Sequence, residues 1–194
     1  MTREELFEKG DRLCREGSRA EGMKLITQAA EMGHPRAMEM VGEEALHGHD
    51  ADPDYEKSYE WSLKAAEAGQ VRAMTNLGVL NLYGRGCVQN VPKAMEYLKK
   101  AYENGDFKAP RYIGIAFEEG IGCEKDEKKA LEWFLKAAEA GDITGQYRAA
   151  VLYEEGRGTK KDMDQAVAWY RKSAQRGDFI AEPAMKALRR LGLQ

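Results

Sequence analysis

No run in this 194-residue chain approaches the ~20 apolar residues that a bilayer-spanning helix needs. The opening Met1-Thr2-Arg3-Glu4-Glu5 lacks the basic start and apolar stretch of a secretory signal, so a full-length chain is expected to be intracellular and cytoplasmic. Cysteine is scarce. Cys14, Cys87 and Cys123 cannot all pair, and Cys87 and Cys123 share one column of the repeat described below. Side chains one repeat apart sit beyond the Cα separation of ~7 Å that a disulfide tolerates. Free thiols in a reducing compartment are the simpler reading. An excess of one charge is missing too: 30 Lys and Arg against 33 Asp and Glu leave −3, no global electrostatic case for nucleic acid or an anionic membrane.

What the chain has is repetition. Leu63-Lys64-Ala65-Ala66-Glu67-Ala68-Gly69 returns unchanged as Leu135-Lys136-Ala137-Ala138-Glu139-Ala140-Gly141, and Gly33, Gly69, Gly105, Gly141 and Gly177 are each 36 residues apart. A fixed period of this size marks a stacked-repeat solenoid, in which each repeat buries its apolar face against its neighbours. The fold class expected is all-α, a solenoid of helix pairs with eleven helices and no sheet.

Residues 1–33 read as an atypical N-terminal capping pair, broken at Gly17 and Ser18. Four gapless repeats follow at 34–69, 70–105, 106–141 and 142–177, then a C-terminal capping helix at 178–194, all one continuous domain. Each repeat opens on a first helix after the repeat glycine, where Asp106, Asp142 and Asp178 can cap and Pro35 suits the first turn. Its inner columns hold Ala37, Ala73 and Ala109, then Val41-Gly42, Leu77-Gly78, Ile113-Gly114 and Ala149-Ala150. The helix exits at Gly48, Gly84, Gly120 or Gly156, with Gly86, Gly122 and Gly158 two residues on. Asp54, Asn90, Asp126 and Asp162 cap the second helix, whose buried stripe runs at offsets 0, 3, 4 and 7, as in Ala130, Trp133, Phe134 and Ala137. Pro110 and Pro183 predict late or bent helix starts.

The pattern resembles the Sel1-like repeats, a branch of the tetratricopeptide helix-pair solenoids. The resemblance covers residues 34–177, looser at both ends. It rests on stretches such as Ala73-Met74-Thr75-Asn76-Leu77-Gly78-Val79-Leu80-Asn81-Leu82-Tyr83-Gly84-Arg85-Gly86 and Lys129-Ala130-Leu131-Glu132-Trp133-Phe134-Leu135-Lys136-Ala137-Ala138. It implies a right-handed alpha-alpha superhelix of antiparallel helix pairs whose first helices line a concave surface, with use as an adaptor in protein complexes or signalling. Two departures stand out: His49-Asp50-Ala51 replaces the glycine turn in the first repeat, and the disulfide within each repeat of some exported cysteine-rich relatives is missing. A few relatives are linked to penicillin binding or β-lactam hydrolysis, but no residue here matches a motif for that activity.

Several constellations suggest chemistry and have plainer roles. Trp61, Trp133 and Trp169 share a column with Tyr97; a base-stacking platform is conceivable, but a periodic inner position favours core packing. His47, His49, Asp50, Asp52 and Asp54 cluster in one loop at no standard zinc spacing. The Gly-x-Gly pairs follow helices, not strands, and so mark turns, not a phosphate cradle. Glu118-Glu119 and Glu154-Glu155 lack a neighbouring nucleophile and read as solvated surface or a basic partner's contact. Residues 31–60 hold nine acids and two bases, −7, whereas 159–190 hold eight bases and four acids, +4.

The function expected is a protein-protein interaction scaffold, with no enzymatic activity and no cofactor or metal. Its partner is a protein or peptide, an acidic one being an option, with no nucleic acid and no membrane. The chain itself is a monomer or weakly self-associates head to tail. The rivals are a hydrolase, by distant family association, and an effector secreted by a non-classical route. The concave face is expected to carry Arg36, Arg72 and Lys108; Thr75, Arg111 and Tyr147; and Met40, Asn76, Tyr112 and Arg148, bordered by Glu118 and Glu154. These columns vary between repeats and gather donors and flat surfaces suited to an acidic peptide.

Overall fold

The four glycines Gly33, Gly69, Gly105 and Gly141 sit at φ of 83, 85, 93 and 95°, a region that residues with a side chain rarely enter. There the chain reverses and the next N–H returns to a carbonyl of the helix just ended: His34 to Ala29, Gln70 to Ala65, Asp106 to Ala101 and Asp142 to Ala137, at 2.9–3.0 Å. In the computed structural model, which describes residues 1–48, 52–175 and 179–193, these turns separate successive helix pairs.

Eleven helices and no strand occur among the described residues. Two compact units contain them, residues 1–106 and 107–194. The first holds α1 (Arg3–Arg15), α2 (Arg19–Glu31), α3 (Pro35–His47), α4 (Tyr55–Glu67), α5 (Val71–Tyr83) and α6 (Val91–Glu103). The second holds α7 (Ala109–Glu119), α8 (Glu127–Glu139), α9 (Ile143–Glu155), α10 (Met163–Ala174) and α11 (Glu182–Arg190). Within each unit the helices pack on their sequence neighbours as antiparallel pairs.

Side-chain size sets how close the two helices of a pair come. Gly114 on α7 lies under the fully buried ring of Phe134 on α8, and a Cβ there would stand 2.7 Å from the ring. Gly78 meets Leu98 and Gly42 meets Ser62 in the same way, while Ala150 shares a buried cluster with Tyr170. The core column of the second helices is thus Ser62, Leu98, Phe134 and Tyr170, the offset-4 position of the stripe. The tryptophans, one residue earlier, are less enclosed: Trp169 is buried, but Trp61 and Trp133 are half-buried. A lysine three residues on covers each ring, Lys64, Lys136 and Lys172, with Nζ 4.4, 3.9 and 4.1 Å from the centroid.

The loop inside each pair repeats as faithfully. Asp54, Asn90, Asp126 and Asp162 accept from the backbone three residues on at 2.9–3.1 Å, capping α4, α6, α8 and α10. Each also donates its own N–H at 2.9 Å to a first-helix carbonyl, on Ala45, Asn81, Phe117 and Tyr153. Gly86 and Gly158 rest against the backbone starts of α4 and α8, at Tyr55 and Glu127, leaving no room for a Cβ. The first repeat keeps the Asp54 bonds; His49, Asp50 and Ala51, like Gly177 and Asp178, lie outside the described residues.

One expected cap is corrected. Asp106 does not cap α7, which starts at Ala109 after an uncapped Lys108. Pro110 has no N–H to return to the Asp106 carbonyl, so the first turn cannot close there. The Asp106 carboxylate instead accepts from the Thr75 hydroxyl at 2.6 Å. Asp142 does cap, accepting from the Gly145 N–H at 2.6 Å.

Gly114→Ala is expected to force the Phe134 ring or its helix outward, costing about 1–3 kcal/mol as overpacking does. Urea denaturation reads the change; an unaltered midpoint would show that α7 and α8 are not held at glycine distance.

Candidate functional site

First-helix side chains facing away from the paired second helix are the candidates, and they divide into enclosed groups that tie repeats together and groups that keep exposed surface. In the first unit Arg36 is exposed on α3 and pairs with Glu39, which is only 2% exposed. Burial pushes the Glu39 carboxyl above its ordinary range, against the pull of Arg36 and Arg72. Arg72 is exposed and stands 3.7 Å from Glu43. Met40 is partly buried against the Leu6, Ile26 and Val41 cluster, and Asn76 is half-buried. Thr75 is 5% exposed, and its hydroxyl is committed to Asp106.

In the second unit Lys108 is half-buried ahead of α7. Arg111 donates to Asp142 and to the Tyr112 hydroxyl, both at 2.9 Å, and Asp142 is 3% exposed. Burial drives the Asp142 carboxyl up while Arg111 draws it down. Arg148 donates to Glu118 at 2.7 Å, and Arg157 reaches the same carboxylate at 3.3 Å. Arg157 also holds Glu127 and Glu155, at 2.9 and 3.1 Å. Glu154 accepts from the Tyr170 hydroxyl at 2.7 Å and from Arg190 with both oxygens.

Thr75, Arg111 and Glu118 are therefore not the solvated groove groups that their variation between repeats suggests. Thr75 and Arg111 each bond the acid 31 residues on, Asp106 and Asp142, which leads into the next repeat. Glu118, 8% exposed, takes arginines 30 and 39 residues on. A column that carries different residues in each repeat is here a set of matched pairs.

Tyr147 and Glu154 lie in a cleft of about 790 Å³ between α9 and α11. Tyr147 and Tyr170 form its aromatic side, with ring centroids 5.8 Å apart, and Val151, Pro183 and Ala187 extend the apolar surface. Phe179 stands at its edge, 86% exposed. Nothing in the column reading pointed to this cleft; the signal lay in the small residues of the last helix. Pro183 and Ala187 stand 36 residues after Tyr147 and Val151 and supply less bulk in the matching places.

No three histidine, cysteine, aspartate or glutamate side chains gather to hold a metal ion among the described residues. His49 and Asp50 of the suggested cluster lie outside them. No described helix is long and apolar enough to cross a membrane. Cys14, Cys87 and Cys123 are free thiols.

A model described as Sel1 repeat matches residues 5–34, 35–70, 71–106, 111–142 and 143–178. No curated protein matches the chain. Among solved structures, a Sel1 repeat protein from Oxalobacter formigenes is 28% identical with a TM-score of 0.82, over 96% of this chain and 75% of that one. The protein c5321, a protective antigen of uropathogenic Escherichia coli strains displaying an SLR fold, is 26% identical with a TM-score of 0.73. That match covers 97% of this chain but only 41% of c5321. Cysteine rich protein B of Helicobacter pylori is 27% identical with a TM-score of 0.51, over 69% of this chain and 96% of that one.

The buried Glu39 makes a pH prediction. Its raised folded value means that the folded chain keeps a proton which the unfolded chain has released. The stability from this group is complete below the ordinary value of 4.5 and is lost as pH rises through the folded value. Glu39→Gln removes that loss, and the Arg36 partner is exposed enough to tolerate the change. The variant should unfold at higher urea than the parent at neutral pH, the gap closing near pH 4; a gap of equal size at both would contradict the burial account.

Proposed function

The chain belongs to the Sel1 repeat family, which typically mediates protein-protein interaction, and on that premise we propose that it is an interaction scaffold or adaptor with no chemistry of its own. Its partner is a protein or peptide received on the first-helix faces. The observation that carries this reading is the α9–α11 cleft, an open concavity between two first helices with an aromatic and aliphatic patch set among charged side chains. In a binding concavity the apolar surface supplies contact area and the polar groups beside it fix orientation. The free thiols support a reducing, cytoplasmic setting.

Exposure narrows the surface. Arg36, Arg72, Met40 and Asn76 in the first unit, and Lys108, Tyr112, Tyr147 and Arg148 in the second, keep some exposed surface, whereas Thr75 and Glu118 are enclosed. Arg111 is a poor choice for charge reversal, since a carboxylate there would face Asp142 and leave two acids unpaired in a buried place.

A photo-crosslinking amino acid at Asn76, Tyr112 or Tyr147 is expected to capture a discrete protein in the cell of origin. The same group at Lys99, exposed on second helix α6, should capture none. Adducts from Lys99 alone would place binding on the other face, and no reproducible adduct from any site would argue against a scaffold.

A further inference from the structure

Resting on the scaffold reading, we propose that the α9–α11 cleft is an anchor pocket for a bulky apolar side chain carried by an acidic segment of the partner. The apolar half of the specificity follows from the walls. Tyr147, Tyr170, Val151, Pro183 and Ala187 offer aromatic and aliphatic surface, and the Tyr170 hydroxyl is already bonded to Glu154. An exposed Phe179 extends that surface at the edge. The volume, about 790 Å³, holds more than one side chain, so a short peptide segment and not a lone group fits it.

The acidic half follows from which charges around the cleft are already satisfied. Glu154 is held by Tyr170 and by Arg190, Glu155 by Arg157 at 3.1 Å, and Glu182 by Lys186 and Arg189 at 3.6 and 3.7 Å. Lys161 also lines the cleft and forms none of these ion pairs; it acts on Glu154 only at a distance. Lys186 is bound loosely, with its side chain 71% exposed. An incoming carboxylate thus meets an available ammonium at Lys161, while Glu154 is firmly held and Glu182, with Lys186 and Arg189 at 3.6 and 3.7 Å, is the least masked of the cleft's acids. The lining holds three acids, Glu154, Glu155 and Glu182, against three bases, Lys161, Lys186 and Arg190, so the preference rests on which of these are already engaged.

The experiment is selection of a random peptide library, about twelve residues long, displayed on phage, against the immobilised full chain, followed by anisotropy with the selected peptide. Enriched sequences should place Phe, Trp or Leu within a few residues of Asp or Glu. Val151→Arg, which fills the cleft, should weaken the selected peptide by on the order of tenfold or more, as loss of a central anchor does. Lys161→Glu, on an exposed loop, should weaken it less and reduce the dependence of affinity on salt. Circular dichroism and melting of both variants check that the fold survives, and Lys161→Glu alone suffices if Val151→Arg unfolds. Peptides with an apolar anchor and a basic flank, or no enrichment at all, would overturn the proposal. Peptides indifferent to both variants but lost on Arg36→Glu with Arg72→Glu would overturn this pocket and leave the scaffold standing. Failure here together with absent crosslinks at all first-helix sites would remove both.

Discussion

The distance between the two helices of a pair constrains the rest of the structure. Gly78 and Gly114 let Leu98 and Phe134 lie directly on the first-helix backbone, where a single added methyl would collide. Burying Phe134 completely contributes about 2–3 kcal/mol by area, and only at that separation. Once the pair is fixed, the loop geometry follows. The N-cap residue must bond the first helix behind it and the second helix ahead of it, and Asp54, Asn90, Asp126 and Asp162 do both.

Contacts between repeats are made differently. Packing supplies the common part, and matched polar pairs supply what is particular to each junction. Thr75 with Asp106 is a short neutral-to-charged bond, whereas Arg111 with Asp142 is a nearly buried ion pair that also caps α9 through the same aspartate. Removing one member would strand a charge away from water, at a cost of about 3–5 kcal/mol. Such pairs make each repeat fit its own neighbour better than a copy of itself, which favours a single order of stacking.

The sequence made local features legible and obscured paired ones. Turn glycines, second-helix caps and the late start of α7 could be read because each depends on residues within one turn of one another. Asp106 misled because Pro110, four residues on, displaced the helix start and freed the carboxylate for Thr75. The tryptophan column misled in part, since offsets 3 and 4 of a helical stripe differ by only one residue, and the buried member is the second. Lysine three residues after each tryptophan was visible in the sequence and acquires meaning only when the ring is seen to be half-exposed. Thr75, Arg111 and Glu118 were opaque for a deeper reason. A column compared only with itself looks variable, and therefore superficial, until each member is set beside the residue 30 or 31 positions on.

The same logic explains why a cleft opens beside the last described helix. In a stack, stability is close to a sum of neighbour terms. Helix α9 packs on both α8 and α10, whereas α11 packs chiefly on α10. Its buried face is small, Ala184, Ala187 and Leu188. Its pairs from Glu182 to Lys186 and Arg189 are exposed, and such pairs are worth at most about 1 kcal/mol each. The firmer tie is Arg190 to Glu154, which fixes the far end of the helix while Pro183 and Ala187 leave its near side thin. A helix with so small a buried face is the part of a repeat stack best able to adjust its position, because local stability follows the apolar contact that an element makes.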